Sequence, residues 1–224
     1  MPAEPRELAD LPFAEALRPL DGAPEDDGHY DTVRVDGGVF EDVEAGGARF
    51  TESAFSSVTF AGGGMRRLRF NDVWLHTTRW LGTDLAECDW LDTEVVGASF
   101  AGVVAFGARW RRVTFHDCKL DSVNLRSAAL RDVRFVNCLL RDVDLGAATL
   151  RDVAFPGSTL EGLRLGKARL TDVDLRDAAA LEIAEGADGL RGAVISTSQL
   201  LDLAPLLART VGVTVRDRDR RRQV

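Results

Sequence analysis

The chain has 224 residues, 45% apolar and 29% charged, with a net charge of −8. That composition supports a packed core and excludes a disordered chain. No run approaches the roughly 18 uninterrupted apolar residues of a membrane span, and three cysteines, an odd number, argue against a disulfide framework and for a reducing cytoplasm.

Residues 1–28 hold eight acids against two bases. Met1 to Asp10 carries acids and prolines in place of a basic flank and apolar run, so it does not read as a signal peptide. Leu8, Leu11, Phe13, Leu17 and Leu20, broken by Pro12 and Pro19, predict a short helix or irregular cap docked on the first coil of the repeat region. Asp21 to Gly28 then reads as an acidic linker.

Residues 29–180 repeat with a period of five. Every fifth residue from Tyr30 to Leu175 is apolar, at all 30 positions, and this register takes nine of the eleven Phe and three of the four Trp. Two residues earlier in each repeat, 27 of 29 positions from Val33 to Val173 are Gly, Ala, Ser, Thr, Cys or Val. The positions between are mostly polar, as in Ala128-Ala129-Leu130-Arg131-Asp132 and Ala148-Thr149-Leu150-Arg151-Asp152. Five matches neither a helix face at 3.6 nor a strand at 2. It matches a chain that turns a corner every five residues, with a large side chain inward at mid-side and a small one inward beside the corner. Four sides make a coil of 20 residues, and coils stacked at ~4.8 Å over this span make a rod roughly 36 Å long. The large side chains fill the shaft and leave no lumen.

This pattern, a small residue, any residue, Leu or Phe, then two polar positions, resembles the pentapeptide-repeat family over about two thirds of the chain. The resemblance implies an all-β, right-handed quadrilateral β-helix. The handedness comes from the resemblance and not from the composition.

After Leu175 the register falters: Glu185 would fall at a core position, which is costly. Leu190, Ala193 and Ile195 recover the register, so 181–195 reads as an irregular last coil. Ser196 with Gln199 forms a capping-box pattern. It opens a helix from about Thr197 to Arg209, with Leu200, Leu203, Ala204 and Leu207 on one face. Pro205 is expected to kink or split that helix. Gly212 suits its stop, and Val211, Val213 and Val215 suit a short closing strand, completing a cap over 196–215. Residues 216–224, rich in arginine, read as a disordered basic tail.

Few residues carry chemistry. Cys88, Cys118 and Cys138 fall at the small inward position and read as apolar filler, although Cys118 and Cys138, one coil apart, lie within the Cα separation a disulfide spans. His76 and His116 share an outward column two coils apart, too far for one metal ion, and read with His29 as solvated surface groups. Gly62-Gly63-Gly64 lacks the Lys-Ser or Lys-Thr of a phosphate loop and reads as a loose or bulged corner. No serine or threonine has a histidine and carboxylate placed to activate it, and neither a metal nor a cofactor site is expected. Trp74, Leu81, Leu91, Val96, Phe106, Val136 and Leu139 fall at outward positions as scattered apolar residues.

Charge is more informative. Residues 20 apart stack, so Glu52, Asp72, Asp92, Asp132, Asp152 and Asp172 form a vertical acidic ladder interrupted by Arg112. Two readings stand: mimicry of the phosphates of duplex DNA, or neutralisation by Arg111, Arg131 and Arg151 alongside and by Arg49, Arg69, Arg109 and Arg169 just before it. The expected function is a non-catalytic, cytoplasmic scaffold that binds a protein partner, without direct nucleic-acid or membrane contact. The apolar helix face either caps its own last coil, joins a second copy in a homodimer, or does both. The alternative comes from the resemblance: some members of the family protect type II topoisomerases by imitating DNA, which implies a protector or inhibitor of DNA gyrase conferring resistance to quinolones or natural gyrase poisons. Quinolone-resistance members often carry loops between repeats, and the unbroken register here leaves no room for them.

Overall fold

The computed structural model describes residues 4–216. Between His29 and Val194 the chain winds as a four-sided parallel β-helix in which residues pair with those 20 positions on, save for a shift near Leu181: Phe50 with Phe70, Trp90 with Trp110, Phe115 with Phe135. Two adjacent faces join in a 13-stranded sheet and the third forms an eight-stranded sheet. The fourth face is a column of single bridges from Glu44 through Gly64, Asp84, Val104, Asn124 and Asp144 to Arg164.

The five-residue period makes this shape because a corner recurs at positions ending in 2 and 7, where the backbone turns left-handed, as at Asp72 (φ 53°), Asp92 (φ 51°) and Asp132 (φ 53°). From Phe50 to Leu175 every fifth side chain is buried in the shaft. The rings stack in columns: Phe60 on Trp80 at 4.3 Å, Trp90 on Trp110 at 5.3 Å, Phe115 on Phe135 at 4.8 Å, geometries that add to their burial energy. The small inward residues that are polar are also satisfied. Ser158 Oγ donates to the Phe135 carbonyl at 2.7 Å and accepts from the Cys138 amide at 2.9 Å. At Gly62–Gly64 the corner is tight and in register, neither loose nor bulged, since Gly64 bridges both Glu44 and Asp84. A Cβ on Gly63 would lie 2.3 Å from the Val43 carbonyl oxygen, so no larger residue fits.

The N-terminal segment departs from the expected cap on the first coil. Arg18–Pro19 pairs in parallel with Val33–Arg34, which does cover that coil's edge. Before it, two single-turn 3-10 helices, Leu8–Asp10 and Ala14–Ala16, climb the side of the β-helix as a strap. Leu11 and Phe13 pack on Ala54 and Trp74, and Arg6 reaches Glu94. The supposed acidic linker is partly coil already: Asp27 turns left-handed and its amide bonds the Gly46 carbonyl at 2.8 Å.

At the other end the register shifts locally by one residue. Leu160 pairs with Leu181 and Arg164 with Glu185, both 21 positions on, while Leu163 keeps the 20-residue step to Ile183. Ile183 thus stays at an inward position while Glu185 pairs with the outward Arg164 and is exposed, so the costly buried acid expected from the register does not occur. Helix α1, Thr197–Thr210, runs through Pro205 without a break, which corrects the expected kink or split. Ser196 and Gln199 form the capping box, and Gln199 Nε2 also donates to the Leu175 carbonyl at 2.7 Å, docking the helix on the last coil. The expected closing strand does not form among the described residues: Val211, Val213 and Val215 lie in irregular chain and are exposed. The basic tail lies outside the described residues beyond Arg216.

Candidate functional site

The six ladder acids all fall on one corner edge of the β-helix, each in the left-handed conformation, from Glu52 (φ 47°) to Asp172 (φ 53°). Among non-glycine residues that backbone is most tolerant of Asp and Asn, so the corner itself selects for aspartate. The other three edges meet the same demand differently. One carries Gly62, Gly82, Gly102, Ser122, Asp142 and Gly162, another Ser57, Thr77, Gly97, Asp117, Asn137 and Gly157. Backbone preference therefore explains why a corner takes Asp, but not why acids gather on this one.

Neutralisation of the edge is partial. Arg112, the residue that interrupts it, grips Asp92 with both nitrogens at 2.5 and 2.7 Å. The hydrogen bonds from that guanidinium hold the Asp92 carboxyl below its ordinary value, against a smaller desolvation effect. Arg151 approaches Asp152 at 3.4 Å. Arg109 and Arg111 turn instead to Asp89, at 3.3 and 3.5 Å. Among the described residues, Glu52, Asp72, Asp132 and Asp172 have no cation within ion-pair distance, and Arg49, Arg69, Arg131 and Arg169 reach no carboxylate.

Beside this edge lies an open groove of about 1010 Å³, bordered by Asp72, Asp92 and Arg112 and floored by outward residues of the next face, among them Thr114, Arg134 and Ala154. Its upper end is closed by the strap, through Glu4 and Arg6. There Arg6 donates its backbone amide and its Nε to the two Glu94 carboxylate oxygens at 2.9 and 2.5 Å, and Trp74 Nε1 donates to the Arg6 carbonyl at 3.1 Å. Two residues expected at the surface are covered here. Trp74 is 4% exposed, and His116 is 5% exposed with its Nε2 3.7 Å from Glu94. Burial pushes the His116 imidazole below its usual value, opposed by the negative charge of Glu94. His76 stacks flat on Trp74 at 5.0 Å. Val136 is buried as well, whereas Leu81 and Phe106 remain exposed on other faces. The sequence reading finds the apolar N-terminal segment but not the lateral face it covers, for which an aromatic at an outward position, Trp74, is the signal.

Cys88, Cys118 and Cys138 are free and buried. Burial pushes the Cys88 thiol up to about 12 and raises Cys118 as well, which suppresses the nucleophilic thiolate. Among the described residues no group of His, Cys, Asp and Glu is arranged to hold a metal ion. On α1 the buried residues are Gln199 and Leu203, with Leu206 and Leu207 half-buried against the core. Leu200 and Ala204 point outward, correcting the expected common face with Leu203 and Leu207. Leu200 and its neighbour Leu201 are 47% and 70% exposed. No helix among the described residues is long and apolar enough to cross a membrane.

A family model described as the pentapeptide repeat region matches residues 108–184. No curated protein matches the sequence. Among solved structures, two trypsin-treated variants of QnrB1, a plasmid-mediated fluoroquinolone resistance protein, share the fold. One is 15% identical, with a TM-score of 0.59 over 88% of this chain and 94% of that one. The other is 14% identical, with a TM-score of 0.52 over 88% and 96%. HetL, a pentapeptide repeat protein involved in heterocyst differentiation regulation in the cyanobacterium Nostoc sp. strain PCC 7120, is 14% identical over 76% of this chain and 90% of its own, with a TM-score of 0.44.

Proposed function

We propose, taking the chain as a pentapeptide-repeat protein, that it is a non-catalytic cytoplasmic scaffold that binds another protein through the sides of its β-helix. One observation carries this: the interior is filled, while a single corner edge gathers Glu52, Asp72, Asp92, Asp132, Asp152 and Asp172 beside an open groove. The test is affinity capture from the native cell with the wild type and with Asp132→Asn, Asp152→Asn and Asp172→Asn combined. A protein partner held by the wild type and lost by the variant is expected. A partner that binds both equally removes the edge from the proposal, and capture no better than an unrelated acidic solenoid overturns the scaffold.

The second reading is a protector or inhibitor of DNA gyrase that imitates DNA and confers resistance to quinolones or natural gyrase poisons. It is favoured by the unpaired acids of the edge, Glu52, Asp72, Asp132 and Asp172, on a rigid rod. The fold likeness to QnrB1 is consistent with it at 15% identity. Supercoiling by purified gyrase, with and without a poison, tests it: inhibition or protection at micromolar protein is expected, and neither removes it. Under either reading, Leu200, Leu201 and Ala204 supply an exposed apolar strip through which two copies pair at the C-terminal helix. Light scattering of the wild type against Leu201→Glu checks that pairing, and a monomer in both samples rejects it.

A further inference from the structure

Three consecutive outward positions in one column, Ala54, Trp74 and Glu94, are buried. The next four in the same column, Thr114, Arg134, Ala154 and Asp174, are half-buried or exposed. The difference is the strap. It covers the first three with Leu11, Phe13 and Arg6 and stops where the open groove begins. Its hold is local. From Glu7 to Leu17 its backbone hydrogen bonds run only within the strap among the described residues, and ladder pairing begins at Arg18. What fixes it is Arg6, whose guanidinium and backbone amide both bond the buried Glu94 carboxylate and whose carbonyl accepts from Trp74, together with two apolar side chains against Ala54 and Trp74. The track therefore has the parts of a peptide-binding site, with a charged selector, an aromatic platform and an open lead-in, and the chain fills half of it with its own N-terminal segment.

We propose that this track is a docking site for an extended segment of a partner protein that carries an arginine for Glu94 and, further along, two apolar side chains for Trp74, and that the strap is its intramolecular competitor. The partner segment enters over the open groove beside the acidic edge and displaces the strap from its Arg6 end. Charge complementarity sets the direction: Glu94 lies at the groove end and Ala54 and Trp74 lie beyond it, so the cation precedes the apolar pair, as Arg6 precedes Leu11 and Phe13. The proposal rests on the scaffold reading and names its surface.

The test uses full-length protein and, as probe, a synthetic peptide of residues 4–20. Trp74 reports the state of the track, because Trp80, Trp90 and Trp110 lie within the shaft. In the variant combining Arg6→Ala, Leu11→Ser and Phe13→Ser, acrylamide should quench one additional indole. The peptide should bind this variant and restore shielding, while binding the wild type roughly tenfold more weakly or worse. A scrambled peptide should not bind, and adding Glu94→Gln should weaken the authentic peptide by roughly tenfold or more. The proposal is overturned if Trp74 stays shielded in the variant, if the peptide does not bind it, or if Glu94→Gln leaves binding unchanged. Should the triple variant lose its β circular-dichroism signal, Leu11→Ser with Phe13→Ser, which removes the cover from Trp74, takes its place under the same criteria. Failure here with successful partner capture elsewhere leaves the scaffold intact; failure of capture with peptide binding intact does the reverse.

Discussion

Each aspartate of the acidic edge answers two demands, one from the backbone and one from charge, and they are separable. A left-handed corner costs a β-branched residue about 1–3 kcal/mol while Asn and Asp occupy it readily. Asp132→Asn should therefore keep stability within about 0.5 kcal/mol, whereas Asp132→Val, at the same φ of 53°, should lose roughly 1–3 kcal/mol in urea unfolding. Equal losses for both would refute the backbone explanation. Cys88 answers to burial instead: it is fully enclosed, with its thiol pushed from 9.0 to about 12. Between those values the folded protein holds a proton that the unfolded chain has released, so unfolding free energy falls as pH rises. The contribution is complete below pH 9.0 and is lost on the way to about 12. Cys88→Ala should flatten that part of an alkaline stability profile, and thiol reagents should leave the wild-type residue untouched at pH ~8 until the protein unfolds.

Among elements, the stacked coils are legible because one rule, an apolar residue at every fifth place, repeats without exception from Tyr30 to Leu175. The acidic edge follows from the same register by simple addition of 20. Three features are not legible, each for a physical reason. A local one-residue shift near Leu181 breaks the phase without changing composition, so an unbroken count places Glu185 inward, although it puts Ile183 correctly at the small inward position. The strap binds a lateral face through tertiary contacts that leave no period, and only Trp74 out of place in an outward column hints at it. The face of α1 is set by how its capping residue docks: Gln199 bonds Leu175, which turns Leu203 inward and Leu200 and Ala204 out. The shift has a measurable consequence. Ile183→Ala, at a site 6% exposed, should cost about 2–5 kcal/mol, and Glu185→Ala should change stability by no more than about 0.5 kcal/mol. Thermal unfolding of the two variants decides between the shifted register and the unbroken one, which buries Glu185 as well as Ile183 and so demands a large effect at both.

As a whole the molecule is a one-dimensional stack in which each coil contacts mainly its neighbours, so the cost of a lesion depends on its place along the rod. Phe115 sits mid-stack, fully buried, with its ring within 5.2 Å of Trp110 and 4.8 Å of Phe135 and in wider contact with Trp90 and Phe100. Phe40 is half-buried near the first coil, with a single ring partner, Phe60, at 5.3 Å. Phe115→Ala should cost about 3–5 kcal/mol, the range for a large aromatic removed from a closed core. Phe40→Ala should cost less, because part of its surface is already in water and the terminal coil relaxes more freely into the space. The two lesions should also differ in reach. A void at Phe115 weakens the interfaces above and below it, so hydrogen exchange should quicken on both sides, through the coils carrying Trp90 and Phe135. A void at Phe40 should free only the entry coil and leave the acidic edge from Asp92 to Asp172 protected. Uniform acceleration in both variants would mean that the rod opens as one cooperative unit. A surface built across several coils would then be held by global stability, and not by the local packing beneath each carboxylate.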